Sequence, residues 1–141
     1  RILVSISGGA TPSGAMSPDR MTQLSDQEII DGARRYVDLS NDHDIDAISA
    51  ILDTEATYAS NRVGSYAGQV AILEMMTVFF ADFPDVRWRT SEITVDEDGA
   101  AAFGFVMTAT NAATGEQIEL RGQERIRFTV RSLIAHVEVE A

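Results

Sequence analysis

The hydrophobic period of this chain changes once, at Pro84, and that change limits the folds open to it. Ahead of it, Ile72, Met75, Met76, Phe79, Phe80 and Phe83 recur at helical spacing, the strongest such stripe in the sequence, and Pro84 ends it. Beyond it, apolar and polar residues alternate in segments separated by Asp98-Gly99, Thr114-Gly115 and Arg131-Ser132, which read as turns between four strands in meander order.

Two more helices are predicted upstream. Ser25-Asp26-Gln27-Glu28 has the capping-box form, in which the serine oxygen and the glutamate carboxylate satisfy amides that a helix start leaves unpaired. Ile29, Ile30, Ala33, Tyr36 and Val37 then form an apolar stripe, and the polar stretch Ser40-Asn41-Asp42-His43 stops the helix. A short second helix near Asp44 to Leu52 presents Ile45, Ile48, Ile51 and Leu52 on one face. A strand at Ala56 to Ser60 and a glycine-containing loop lead into the third helix. Helices gathered in front and hairpins behind fit an α+β layout, with helices laid on one face of an antiparallel sheet.

Composition narrows the chemistry. The chain has 141 residues, 45% of them hydrophobic, enough for one domain with a core of its own. Residues 1 to 20, rich in Gly, Ser, Pro and Ala, read as a tail or an added edge strand built on Ile2-Leu3-Val4-Ser5-Ile6, and residues 21 to 141 as the domain. Twenty-two acidic against 11 basic residues give a formal charge of -11, which repels phosphate backbones and anionic lipid, so neither nucleic acid nor a membrane is an expected partner. No apolar run approaches the roughly 20 residues of a membrane helix. The expected location is the cytoplasm, although the sequence begins at Arg1 and a targeting segment ahead of it is not open to reading. All the basic residues are arginine, so lysine Schiff-base chemistry is excluded. There is no cysteine, and His43 and His136 alone cannot build a standard catalytic metal site, so neither metal nor cofactor is expected. His43 lies in a polar turn and His136 on the strand face opposite Leu133, Ala135, Val137 and Val139, and neither is read as catalytic.

One residue breaks the pattern it sits in. Between Gln117 and Val130, alternation puts Ile118, Leu120, Gly122, Glu124, Ile126, Phe128 and Val130 on one face and polar or charged residues on the other. Glu124 therefore points among apolar side chains, where an ionised carboxylate is costly. It must stay protonated or accept hydrogen bonds from a neighbour such as a tyrosine hydroxyl, and both outcomes describe an active-site acid. The competing possibility is a bulge near Gly122 that turns Glu124 outward to Arg125 or Arg127. Tyr36, taken alone, reads as a core residue with its hydroxyl at the rim more readily than as a proton donor.

The segments Arg35-Tyr36-Val37-Asp38-Leu39, Asp44-Ile45-Asp46-Ala47-Ile48 and Glu55-Ala56-Thr57 open the chain in an order and spacing that resemble bacterial ketosteroid isomerases and the broader SnoaL-like group of the nuclear transport factor 2-like superfamily. Gly68, the exit Phe83-Pro84-Asp85, the stretch Gly122 to Phe128 and the ending Ile134-Ala135 resemble that group too. The resemblance implies a cone whose curved sheet and three helices enclose a mostly apolar pocket for a small apolar molecule. It places Tyr36 where the isomerase has its oxyanion-hole tyrosine and Glu124 where it has the protonated aspartic acid of that hole, a carboxylic acid kept neutral in order to donate. Tyr58, Ser60, Met75, Met76, Phe79, Trp88, Phe103, Phe105, Val137 and Val139 are the expected pocket residues. Ser60 stands at the isomerase's general-base position, and a serine hydroxyl accepts protons poorly, so steroid isomerisation by that mechanism is not expected. Glu55, Asp53 or a bound water are alternatives for the base. An isomerase, cyclase, dehydratase or hydrolase and a non-catalytic binding module are therefore both open. The resemblance also implies a homodimer formed through the outer sheet face, where Arg121, Arg125 and Arg127 would need carboxylates from neighbouring strands.

Overall fold

The computed structural model describes residues 23–141, so the tail or edge strand expected in residues 1 to 20 lies outside them. Helix α1 (Asp26–Asn41) starts at a complete capping box: Ser25 Oγ accepts from the Glu28 amide at 3.1 Å and Glu28 Oε1 accepts from the Ser25 amide at 2.8 Å. Its buried stripe is Ile29, Ala33, Tyr36 and Ser40. His43, at φ 55°, makes the turn into α2 (Ile45–Ile51), whose first turn is capped by Asp44 accepting from the Ala47 amide. Strand β1 (Leu52–Ser60) follows α2 directly and turns into β2 (Gly64–Ala67), a strand in place of the expected loop. Helix α3 (Gln69–Asp82) then runs to Phe83, one residue before Pro84.

After Pro84 come β3 (Arg87–Thr90), β4 (Thr94–Val95), β5 (Ala101–Thr110), β6 (Gln117–Phe128) and β7 (Ile134–Glu140). The expected first strand is thus split in two, and both pieces pair with β5. The three turn signals hold: Gly99, Gly115 and Ser132 each adopt a positive φ, of 80°, 74° and 66°. Spatial order is β2-β1-β7-β6-β5-β3, with β4 also on β5.

The sheet is mixed rather than antiparallel, because β7 lies parallel to β1. Everything between them, α3 and five strands, forms the long connection that a parallel pair requires. Register shifts between Leu52 and Thr57 and between Arg127 and Phe128 bend the sheet. The three helices among the described residues cover its concave face. Ile48, Ile72, Ile126, Ile134 and Val137 fill one end of the interior, and Val86, Phe105, Met107 and Ala109 the other.

At Gly122 the end of β7 and the Phe105 ring approach the β6 backbone closely. A Cβ there would overlap the Glu140 carbonyl oxygen and the rim of the Phe105 ring. Gly122→Ala is therefore expected to destabilise the fold by about 1–3 kcal/mol, the usual range for overpacking, read as a lower urea midpoint. An unchanged midpoint would show that β6 and β7 can separate freely at that point.

Candidate functional site

Between the two ends of the core lies a cavity of about 110 Å³, lined mostly by apolar side chains. Helix α1 contributes Tyr36, Val37 and Ser40; β1 and its turn contribute Tyr58, Ser60, Arg62 and Val63; α3 contributes Met75, Met76, Phe79 and Phe80. Trp88 and Thr90 of β3, Phe103, Phe105 and Met107 of β5, Leu120 and Glu124 of β6, and Val139 and Ala141 complete the wall. The α3 stripe explains itself here. Ile72 and Met76 are buried, whereas Met75, Phe79 and Phe80 remain half-buried because they face a hollow rather than packed core.

Glu124 is placed by register. Pairing of β5 with β6 runs without a slip from Ala101↔Ile126 to Thr110↔Gln117, so no bulge intervenes at Gly122 and the carboxyl stays on the concave side. Only 8% of Glu124 is exposed. No hydrogen bond or ion pair engages its carboxyl among the described residues, and burial alone pushes its pKa up to about 8. At neutral pH this group is mainly a neutral acid.

Two phenols share the cavity with it. Tyr36, 5% exposed, is held well above its ordinary pKa by burial first, then by the nearby Glu124 and Tyr58, with the Ser40 hydroxyl acting in the opposite direction. Ser40 Oγ also donates to the Tyr36 carbonyl at 2.8 Å. Tyr58 is raised by burial, then by Glu124 and Tyr66. Neither phenol bonds Glu124 directly among the described residues. Both hydroxyls are donors that keep their protons.

Ser60 does line the cavity, but its oxygen is occupied. Ser60 Oγ accepts from the Arg62 amide at 3.1 Å and the Val63 amide at 3.2 Å, capping the β1–β2 turn. Neither Glu55 nor Asp53 reaches the cavity; Asp53 Oδ2 accepts from the Glu55 amide on the outside of β1. Val137, expected in the pocket, is 1% exposed and belongs to the packed core instead, whereas Val139, two residues on along the same strand face, lines the cavity. The other expected pocket residues are all in the wall. Val37, Ser40, Arg62, Val63, Phe80, Thr90, Met107, Leu120 and Ala141 join them. Phe80 and Val37 were visible as helix-stripe residues, while Arg62 sits in a turn whose direction no sequence pattern specifies.

The remaining polar groups support the wall. Asn41 Oδ1 accepts from the Trp88 amide at 2.7 Å and its Nδ2 donates to the Trp88 carbonyl at 3.0 Å, fixing Trp88 to the end of α1. His43 stacks on Phe80 at 4.4 Å and faces the Val86 carbonyl through Nε2. His136 lies on the outer face beside Thr57 and Glu138. On that face Arg125 pairs with Asp96 at 2.7 Å and Asp98 at 3.2 Å, so the turn between β4 and β5 already supplies its carboxylates.

The pKa of Glu124 has a consequence for stability. An acid whose folded pKa is raised from its ordinary 4.5 to about 8 binds a proton in the folded state that the unfolded chain has released. Its contribution is complete below the lower value and lost as pH rises toward the higher, with a slope of at most about 1.4 kcal/mol per pH unit. Asp85 acts only in more acid solution, because hydrogen bonds from the Thr110 hydroxyl and amide hold it low. Thermal unfolding between about pH 5 and 8 should therefore show a falling melting temperature that flattens in Glu124→Gln. Parallel profiles for the two proteins would place the carboxyl in water.

Comparison with known proteins agrees with this architecture. A family model described as a SnoaL-like domain matches residues 33–137. The epoxide hydrolase/cyclase-like enzyme SalBIII, described for pyran ring formation in the polyether salinomycin, superposes with a TM-score of 0.73 at 18% identity, over 81% of this chain and 90% of that one. A putative polyketide cyclase from Xanthomonas campestris pv. campestris gives 0.68 at 18% identity, over 82% and 90% of the two chains. A nuclear transport factor 2-like protein from Salmonella enterica serovar Typhimurium gives 0.70 at 21% identity, over 80% and 87%. A search of curated protein sequences found no significant match. With three helices on a curved, unclosed sheet and most of its length matched by one family model, this chain belongs to the SnoaL-like family.

Proposed function

We propose that the cavity binds a compact apolar molecule and that Glu124, as a neutral carboxylic acid, donates to an oxygen of that molecule beside the hydroxyls of Tyr36 and Tyr58. One observation carries this reading: a buried carboxyl without a partner among the described residues faces a hollow. A core with no ligand to serve gains nothing from such a group, because desolvating it costs free energy that an apolar side chain would not.

The distribution of groups favours acid-promoted chemistry over abstraction of a proton from carbon. The wall contains an acid and phenolic donors, but the oxygen at the family's base position is already saturated by two amides. Reactions that need no side-chain base are those in which the substrate or a water supplies the nucleophile and an oxygen must be protonated as its bond to carbon breaks. Epoxide opening by a hydroxyl of the same molecule is such a reaction. Glu124 would give its proton to the epoxide oxygen as the C–O bond opens, and the incoming hydroxyl oxygen would bond to carbon. The proton that this hydroxyl sheds would return to the carboxylate through solvent at the mouth. The epoxide hydrolase/cyclase-like and polyketide cyclase neighbours support an oxygenated, largely apolar substrate of this kind. No cofactor is required for that sequence.

The occupied Ser60 oxygen also supports a second reading, a module that holds its ligand without reaction. Turnover of hydroxy-epoxides, enones and polyketide-like ketones separates the two. For the enzyme, Glu124→Gln should lower the rate about 10²-fold or more and Tyr36→Phe about 10²-fold, with activity declining as pH passes about 8. Binding without turnover, at equal affinity in wild type and Glu124→Gln, would leave the module.

A further inference from the structure

The same cavity has a second polar end, and this inference rests on its being a ligand site. Strand register places Phe103, Glu124, Val139 and Ser60 in one row across the sheet, through the pairs Phe103↔Glu124, Glu124↔Val139 and Ser60↔Val139. Glu124 and Ser60 thus lie on either side of Val139, two strand spacings or about 10 Å apart at the backbone. Glu124, Val139 and Ser60 all belong to the wall, so a molecule lying over Val139 meets Glu124 at one end and Ser60 at the other.

What waits at the Ser60 end is a set of donors. The two lone pairs of Ser60 Oγ are taken by the Arg62 and Val63 amides, which leaves only its proton for a ligand. Arg62, an exposed side chain and the one cation in the wall among the described residues, donates through Nε to an Ala141 oxygen at 3.3 Å. Its two terminal amino groups meet no Asp or Glu carboxylate among the described residues, in a chain where acidic residues outnumber arginines 22 to 11. The turn that presents it is held in place. Asn61 Nδ2 donates to an Ala141 oxygen at 2.9 Å and Asn61 Oδ1 accepts from the Ala141 amide at 3.0 Å.

We propose that Ser60 and Arg62 receive a carboxylate, and that the ligand is a compact apolar monocarboxylate whose second oxygen, a ketone or ether, lies at Glu124. A carboxylate suits a single guanidinium, which meets it with two parallel hydrogen bonds. A phosphate ester, with close to two negative charges, would face one cation against a net charge of -11. A cationic ligand would find no ionised side-chain acid in the wall while Glu124 is protonated.

The test is calorimetric titration with para-acetylbenzoate, which carries a ketone and a carboxylate at opposite ends of one ring, and with its neutral counterpart para-acetylbenzamide, at about pH 6.5, where Glu124 keeps its proton. Wild type should bind the acid about tenfold or more tightly than the amide. Arg62→Gln should remove most of that difference by weakening the acid far more than the amide, and Arg62→Lys should restore part of it. Equal affinities in wild type, or an equal loss for both probes in Arg62→Gln, would overturn the carboxylate end and leave the apolar pocket standing. Failure of both probes to bind wild type would overturn both.

Discussion

Unslipped pairing of β5 with β6 is the constraint on which the site depends. Side chains in a strand alternate with a period of two, so a shift of one residue would have sent Glu124 to the outer face and Gln123 to the inner one. The pairing holds over ten consecutive partners, from Ala101↔Ile126 to Thr110↔Gln117. The irregularity that bends the sheet falls later, beyond Arg127. Curvature and the direction of the acid are therefore set in separate places. Gly122 lets them coexist, because the absence of a side chain there allows the end of β7 to close over the strand two residues before the acid.

A buried acid of this kind works against folding, and the surroundings limit the cost in a particular way. Among the described residues no arginine is paired with it; the arginines on β6 alternate outward, and Arg125 is paired with Asp96 and Asp98 on the far side of the sheet. Glu124 keeps its proton instead, which spares the large penalty of an unpaired charge and leaves the smaller one of an unpaired polar group. The tyrosines fit the same logic. Each is harder to ionise than in water, with Glu124 among the reasons, so three side chains around the hollow hold three protons and no base.

Much of this was legible in the sequence because the relevant signals are local. The capping box at Ser25, the α3 stripe and the alternation through Glu124 each need only neighbours in the chain, and each appears in the fold. The parallel partnership of β1 and β7 was not legible, since alternation reports which face a residue takes and says nothing of strand direction. Strand β2 escaped because four residues with Tyr66 as their one large apolar member, of half-buried exposure, look like a loop. Val137 shows the limit of face assignment. It shares a face with Val139, yet depth along the cone decides which of the two meets the hollow. Arg62 was silent for another reason: in a turn no period fixes where a side chain points.

Asn41 carries a consequence beyond Trp88 itself. Strand β3 is the last on its side of the sheet, and the outward amide and carbonyl of Trp88 are the kind of unpaired groups that recruit a strand from another molecule. Both are taken by one carboxamide, which imitates the backbone of a missing neighbour while ending the ladder. A single side chain thus occupies that stretch of the sheet's border, at the same place where it steadies an aromatic wall.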